Sequence, residues 1–178
     1  MKYAFFAVVS TIFVLLAWVL SPLLAGLSMF LRLIAPFLDW FRIHINTARL
    51  PLGLQWFSTV DDDLDGGQHQ NHYPTGATGW RLWWQRTRWI IRNPAQGFQA
   101  YLLGYDATNY YLAVDRVTAN GGRYREWRGL FPRVVYARQV NVRITDRYYI
   151  KMWFGWALKA NMNRFTLKFV PFSIGVTK

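Results

Sequence analysis

Residues 3–31 form an uninterrupted run without a charged side chain, and this run constrains the fold more than any other feature of the sequence. Eighteen or more mainly apolar residues suffice to cross a hydrocarbon core of about 30 Å, because a helix pairs its own backbone polar groups. The run therefore predicts a membrane-anchoring helix near the amino terminus. The rest of the chain is long enough for one further domain of ordinary size.

A signal peptide is the competing interpretation of this run, because Met1 and Lys2 precede it. The apolar core of a signal peptide spans about 7–15 residues and ends at a small-x-small cleavage site. The run is about twice that length, and its best candidate site, at residues 23–25, lacks the first small residue. We therefore expect an anchor that is retained.

Pro22 predicts that the apolar run is divided into two pieces. A straight helix over the whole run would be about 43 Å long, and proline cannot donate a backbone hydrogen bond inside a helix. We expect a transmembrane helix over residues 1–21, a break at Ser21-Pro22 and an interfacial amphipathic segment over residues 22–46. A helical hairpin with Pro22 at its tip is the alternative.

The second piece has an apolar and a polar side at helical spacing. The apolar positions are Leu24, Leu27, Leu31, Ile34, Leu38 and Phe41, and the polar positions are Ser28, Arg32, Asp39 and Arg42. Such a helix lies in the membrane interface. Arg32, Arg42 and Arg49 follow the span whereas Lys2 precedes it, so the positive-inside rule predicts a single-pass protein with its carboxy-terminal domain in the cytoplasm.

Residues 47–79 read as an acidic connector rich in Asp and Gly. Asp61, Asp63 and Asp65, followed by Gly66, match the opening of a calcium-binding loop, in which alternate carboxylates converge on the cation. The twelfth position of such a loop is a glutamate, but here it is His72. Two interpretations stay open: a metal site at these three aspartates, or an acidic turn that pairs with arginines downstream.

The apolar pattern of residues 80–92 predicts an amphipathic helix, which we expect to end at Asn93-Pro94. Its expected apolar face holds Trp80, Trp83, Trp84, Thr87, Ile90 and Ile91, and its expected polar face holds Arg81, Gln85, Arg88 and Arg92. The apolar face can cover a sheet. Alternatively, the helix can bind a membrane or another anionic surface through Arg81, Arg86, Arg88, Trp89 and Arg92. Nucleic acid is a third possible contact.

From residue 98 onward the apolar period changes from helical to two. Strands are expected at residues 98–104, 109–117, 123–131, 138–145, 148–158 and 165–169, with turns at residues 119–122 and 160–163. Gly155 suggests a bulge or a close backbone approach. We expect residues 80–178 to form an α+β domain, in which an antiparallel meander sheet is covered by the Trp/Arg helix.

The charge of the chain is concentrated in its second half. Residues 1–80 carry four basic and five acidic side chains, a net charge of −1, whereas residues 81–178 carry seventeen basic and four acidic ones, a net charge of +13. A basic, aromatic-rich domain can bind nucleic acid. A domain tethered to a bilayer also has anionic lipid within reach, at about 1 kcal/mol of attraction for each Lys or Arg.

The sequence offers little that could perform catalysis. There is no cysteine, so thiolate nucleophiles, thiolate metal sites and disulfides are excluded. Glu126 is the single glutamate, His44 follows the interfacial segment, and His69 and His72 lie in the connector. No serine lies in a glycine elbow and no phosphate-binding glycine loop is present. We therefore expect a protein that is not an enzyme and needs no cofactor.

Several segments of the sequence, taken together, carry a resemblance to a known family. They are QWFSTVDDDLDGG, GWRLWWQRTRWIIRNPAQGF, KMWFGWAL and FVPF, and they follow an apolar amino terminus. With them the chain resembles a family of small, uncharacterised membrane-anchored proteins of tailed bacteriophages. The resemblance implies a phage origin and a location in the bacterial host inner membrane, but no activity.

Three functional hypotheses follow from these features. The first is a non-enzymatic membrane-anchored phage accessory protein, whose basic domain docks on the cytoplasmic membrane surface, on anionic lipid or on a membrane or virion protein. The second is a membrane-tethered nucleic-acid-binding protein. The third is a virion component that acts at the host membrane.

Overall fold

A computed structural model of the chain describes residues 2–119, 121–129, 134–159 and 163–176. The helices are α1 (Lys2–Trp40), a 3₁₀ helix (Leu52–Phe57), α2 (Gly66–His69), α3 (Gly79–Arg92) and α4 (Gln96–Tyr101). The strands are β1 (Tyr105–Asp106), β2 (Tyr110–Val117), β3 (Arg123–Gly129), β4 (Val134–Arg143), β5 (Tyr148–Lys159) and β6 (Arg164–Val176). The expected α+β class, with a long apolar amino-terminal helix and an antiparallel sheet, is confirmed.

The chain divides into two compact units. The helical unit comprises Ile12–Phe98, and the sheet unit comprises Met1–Thr11 together with Gln99–Lys178. We expected the Trp/Arg helix, here α3, to cover the sheet. Instead α3 belongs to the helical unit, where its buried side contacts α1 and the acidic connector.

Helix α1 continues through Pro22, so the predicted break at Ser21-Pro22 and the alternative hairpin are both wrong. In a helix the N–H of residue 22 would bond to the carbonyl of Trp18, and proline has no N–H. The hydroxyl of Ser21 donates to that same carbonyl at 2.8 Å. The indole N–H of Trp83 donates to the carbonyl of Pro22 at 2.9 Å. The proline therefore leaves no orphaned acceptor at this point of the helix.

The five longer strands form the expected antiparallel meander, because neighbours in the sheet are also neighbours in the sequence. The order among the described residues is β1-β6-β5-β4-β3-β2, and β1 adds a short strand on the outer side of β6. The pairing of β5 with β6 shifts register between Lys151 and Trp153. Gly155, nearby in β5, has a φ of 102°, a conformation that side-chain-bearing residues rarely adopt.

Aromatic rings fill the centre of the sheet unit. Phe165 is fully buried and makes edge-to-face contacts with Tyr110 and Trp127, with ring centroids 5.3 and 5.4 Å apart. The side chain of Gln99 donates to the hydroxyl of Ser10 at 2.8 Å, and both are buried. The sheet unit thus has an aromatic core and a buried polar contact to the amino-terminal turns of α1.

Residues 98–104 do not form the predicted strand, because their first half belongs to helix α4. Every residue from 94 to 100 is buried, so the segment lacks the alternation that separates a strand from a helix. Parts of three other predictions lie outside the described residues: Asn120 in the first turn, residues 130–131 at the end of the third strand, and residues 160–162 in the second turn. The side chains of Leu167 and Phe169 lie outside them as well.

We predict that Ser21→Ala destabilises the full chain by about 1–3 kcal/mol, because it removes the hydroxyl that donates to the carbonyl of Trp18. In a Pro22→Ala background the same change should cost much less, since an alanine at that position supplies the missing N–H. Thermal unfolding of the four proteins of this double-mutant cycle in detergent is the measurement. Equal losses in both backgrounds would show that the hydroxyl does not replace the proline's missing bond.

Candidate functional site

One side of α1 in the helical unit is a continuous stripe of large apolar side chains exposed to the surroundings. The stripe consists of Ile12, Leu15, Leu16, Val19, Leu23, Phe30, Leu33, Phe37 and Trp40. These residues recur at intervals of three, four or seven, which places them on one side of a helix. We call them the apolar stripe.

The opposite side of α1 is buried and carries mostly smaller residues. It consists of Val14, Ala17, Ser21, Leu24, Ala25 and Ser28. A helix of a water-soluble protein places its large apolar residues inward, whereas helices in membranes pack through small ones such as Ser and Ala. The arrangement of α1 is therefore typical of a helix whose outer side contacts lipid.

The described residues contain one helix that is long and apolar enough to cross a membrane. It is the part of α1 from Val8 to Trp40. The length and composition of α1 thus confirm the prediction of a membrane-compatible helix near the amino terminus.

Helix α3 is rotated relative to the prediction. Its buried residues are Leu82, Gln85, Arg86, Thr87, Trp89 and Ile90. Thr87 and Ile90 are buried as expected, but Trp80 is 73% exposed and Trp84 is 47% exposed. The rotation brings Arg86 inward, where it finds a carboxylate partner, and leaves two tryptophans outside.

Arg86 is the centre of a buried polar cluster that joins three parts of the helical unit. Its guanidinium forms two hydrogen bonds with the carboxylate of Asp65, at 2.9 and 2.8 Å. It also donates to the hydroxyl of Ser28 at 3.1 Å and to the carbonyl of Thr47 at 2.9 Å. Arg86 itself is 1% exposed. The prediction that Arg86 contributes to an anionic-surface site is therefore wrong, because its charge is already used inside the protein.

Trp89 is also misplaced in the predicted surface. It is buried and packs edge-to-face against Tyr73, with ring centroids 6.5 Å apart. Gly67 makes this packing possible, since a Cβ at that position would lie 2.1 Å from the ring of Tyr73. Trp89 therefore holds α3 against the connector and is not available to a partner.

The three aspartates predicted as metal ligands are not arranged as a metal site. Asp63 accepts a hydrogen bond from Arg49 at 2.5 Å, and Asp65 pairs with Arg86. Across the described ranges, no group of three or more His, Asp or Glu side chains is placed to hold a metal ion. The prediction of a metal site at Asp61, Asp63 and Asp65 is therefore wrong. The alternative, an acidic turn that pairs with a downstream arginine, is confirmed for Asp65.

The exposed side of α3 has two adjacent stripes of different chemistry. Successive residues of a helix are turned by about 100°, so Trp80, Trp84 and Ile91 share one stripe, and Arg81, Arg88 and Arg92 share the next. The first stripe lies beside Trp83, whose indole contacts α1. Three of the five residues predicted at the anionic surface, namely Arg81, Arg88 and Arg92, are therefore exposed. Trp80 and Trp84 were missed, since apolar pattern alone assigned them to the core.

Tyr73 lies against the arginine stripe. The guanidinium of Arg88 lies 5.1 Å from the centre of its ring, within the range of a cation–π contact. Burial raises the pKa of the Tyr73 hydroxyl, and the charges of Arg88 and Arg92 oppose that rise. The phenol thus remains neutral at physiological pH and leaves the positive charge of this stripe intact.

Two acidic side chains of the sheet unit, Asp115 and Glu126, are paired with arginines. Residues 99–178 hold nine arginines and four lysines against four acidic residues, a net charge of +9. The carboxylate of Asp115 accepts a hydrogen bond from the guanidinium of Arg123 and lies 3.3 Å from that of Arg125. The carboxylate of Glu126 accepts a hydrogen bond from the guanidinium of Arg128 at 2.6 Å. Because each of these two carboxylates is engaged within the sheet, the remaining basic residues give the unit its positive field.

A concavity of about 230 Å³ lies where β3 meets β4. Its lining consists of Thr118, Arg123, Tyr124, Arg138, Gln139, Val140 and Asn141. This lining, within the described part of the chain, contains neither a carboxylate nor a histidine. It therefore lacks the acid and base that most hydrolytic or transfer reactions need.

Comparison with known proteins gives the chain a family. A family of unknown function (DUF7338) matches residues 1–177. The chain belongs to this family. No curated protein and no solved structure matches the chain. The function of this DUF7338 member is therefore inferred from the arrangement of its own residues.

We predict that Asp65→Asn destabilises the chain by about 3–5 kcal/mol, because it leaves the buried guanidinium of Arg86 without an anionic partner. Asp63→Asn is the matched control. Both side chains of the Asp63–Arg49 ion pair are exposed, and such pairs contribute about 0–1 kcal/mol to stability. Thermal unfolding in detergent compares the two variants. Similar losses would show that the Arg86 cluster is no more important than an ordinary surface ion pair.

The titration of Asp115 depends on the arginines beside it. Its hydrogen bond to Arg123, reinforced by the charge of Arg125, lowers the pKa of the carboxyl to about 2. Because this pKa lies below that of the unfolded chain, near 3.9, the pair stabilises the fold above about pH 4. That stabilisation is lost as the pH falls through about 2.

Carboxyl carbon NMR of the full chain in micelles measures this titration. Arg123→Gln should raise the pKa of Asp115 toward its ordinary value. Arg128→Gln, which removes the partner of Glu126 instead, should leave the titration of Asp115 unchanged. A normal pKa for Asp115 in the unmodified protein would contradict the pairing.

Proposed function

We propose that this protein is a non-enzymatic, membrane-anchored bacteriophage accessory protein that attaches to the host inner membrane through α1. The observation that carries the proposal is the apolar stripe, which no described part of the helical unit covers. An exposed apolar surface of this length is costly in water and is typical of a site for a membrane or a partner. The small residues on the opposite side of the helix support a lipid environment.

The exposed side of α3 supports the membrane as the partner. Tryptophan is favoured at the depth of lipid headgroups, and arginine attracts anionic lipid. Trp80 and Trp84 lie next to Arg81 and Arg88 on α3, so one helix offers both kinds of contact. In this proposal the sheet unit faces the cytoplasm, where it meets anionic lipid or a protein partner at the membrane.

Charged substitutions on the apolar stripe test the attachment. Val19 and Leu23 are 75% and 70% exposed, so Val19→Glu with Leu23→Glu should leave the fold intact. A charge at the centre of a membrane helix costs about 3 kcal/mol, so the pair should shift the protein from the membrane fraction to the soluble fraction. Fractionation of bacterial cells that express the full chain is the measurement.

The matched control places the same change on exposed apolar residues of the sheet unit. Val142→Glu with Ile144→Glu alters residues that are 46% and 55% exposed, and it should leave the protein in the membrane fraction. If the α1 variant stays in the membrane, or if both variants leave it, the proposed role of the apolar stripe is wrong.

A membrane-tethered nucleic-acid-binding protein is the second candidate. The net charge of +9 over residues 99–178 favours it, because phosphate neutralisation supplies most of the affinity for nucleic acid. A gel-shift titration of the detergent-solubilised chain with single- and double-stranded DNA and RNA tests it. Binding that weakens steeply with salt would support this candidate, and no binding at moderate salt would remove it.

A further inference from the structure

The position of α3 along α1 bears on how α1 meets the membrane. The indole of Trp18 donates to the carbonyl of Ile91 at 3.1 Å, and the indole of Trp83 donates to the carbonyl of Pro22 at 2.9 Å. Arg86 reaches Ser28 on the same side of α1. These contacts fasten α3 to the middle of the uncharged run, which is the part that a crossing helix would place in the hydrocarbon core.

A crossing α1 would therefore carry α3 into the bilayer. Arg81, Arg88 and Arg92 are exposed on α3, and a charged side chain in the hydrocarbon core is strongly unfavourable. The irregular connector that packs on α3 would enter with it, although irregular backbone facing lipid does not occur at that depth. The contacts of α3 thus oppose a perpendicular span through this part of α1.

The length and the charges of α1 fit a helix that lies along the membrane. Its 39 residues extend about 58 Å, roughly twice the thickness of the hydrocarbon core. Arg32 and Asp39 are exposed and lie on the same side of α1 as Ser21 and Ser28, because they follow Ser28 by four and eleven residues. The apolar stripe continues on the other side to Trp40. The helix therefore stays amphipathic beyond the part that α3 covers.

We propose that the helical unit is monotopic, with α1 lying in the plane of one leaflet and the chain never crossing the bilayer. The apolar stripe enters the acyl chains, the Trp80 and Trp84 rings lie at the headgroup boundary, and the three exposed arginines of α3 bind phosphate groups of anionic phospholipid. This inference rests on the proposed membrane attachment. It replaces the predicted single-pass topology with attachment from one side.

The absence of cysteine from the sequence allows a direct test in the full chain. Three single-cysteine proteins are made: one with a cysteine inserted between Met1 and Lys2, one with Arg42→Cys and one with Thr75→Cys. Spheroplasts are treated with a membrane-impermeant maleimide before and after permeabilisation, and labelling in detergent defines full reactivity. Fractionation of the same cells shows whether each protein is in the membrane.

A monotopic unit on the cytoplasmic leaflet predicts that all three cysteines are protected in intact spheroplasts and labelled after permeabilisation. Labelling of the amino-terminal cysteine from one side and of Arg42→Cys from the other would overturn the inference while leaving membrane attachment in place. Labelling of all three in intact spheroplasts would support the monotopic arrangement and reverse the proposed orientation. Recovery of all three proteins in the soluble fraction would overturn the attachment itself.

Competition between lipids tests the role of the α3 arginines. The full chain is mixed with phosphatidylglycerol and phosphatidylcholine vesicles of different density, and its distribution is measured by flotation. Arg81→Gln, Arg88→Gln and Arg92→Gln combined should reduce the preference for the anionic vesicles on the order of 100-fold. Arg116→Gln, Arg138→Gln and Arg143→Gln combined, all exposed on the sheet, are the control and should retain it. Equal losses in the two triple variants would contradict the assignment to α3.

Discussion

The ion pair between Arg86 and Asp65 is the contact on which the helical unit depends. A guanidinium removed from water is strongly unfavourable unless its donors are satisfied, and here a carboxylate, a hydroxyl and a backbone carbonyl satisfy them. Because these acceptors come from α1 and from two points of the connector, Thr47 and Asp65, the cluster fixes both parts relative to α3. Its buried position also sets the rotation of α3 and so determines which side chains that helix exposes.

The rotation of α3 and the packing of α1 together explain the surface of the helical unit. Ser21 offsets the missing N–H of Pro22, so α1 stays continuous and its small residues form one uninterrupted buried side. The large residues of α1 are left on the outside, and Trp80 and Trp84 of α3 are exposed as well. In the proposed arrangement the apolar side chains meet the acyl chains, the tryptophans lie at the boundary of the headgroups, and the arginines contact the headgroups.

The elements with a clear periodic pattern could be predicted from the sequence. The apolar run predicted a long helix, and the period-two pattern at residues 109–117 and 138–145 predicted two strands of the meander. The predictions failed where a specific partner outweighed the pattern. Arg86 was expected outside because hydropathy does not reveal that Asp65 lies opposite. Pro22 was expected to break α1 because the apolar pattern does not show that the hydroxyl of Ser21 bonds to the carbonyl of Trp18. The strand predicted at residues 98–104 failed because residues 98–101 belong to helix α4, and residues 98–100 are all buried and so show no alternation.

Contact between the exposed side of α1 and lipid is measured most directly by spin-label accessibility in nanodiscs. Single cysteines introduced from residue 15 to residue 30 of the cysteine-free chain report access to oxygen, which concentrates in the acyl region, and to a water-soluble nickel complex. If the apolar stripe contacts lipid, oxygen access varies along α1 with a period of about 3.6 residues. It should peak at residues 19, 23 and 30 and be lowest at residues 17, 21 and 28. Uniform access along the helix, or peaks on the side of Ser21, would contradict it.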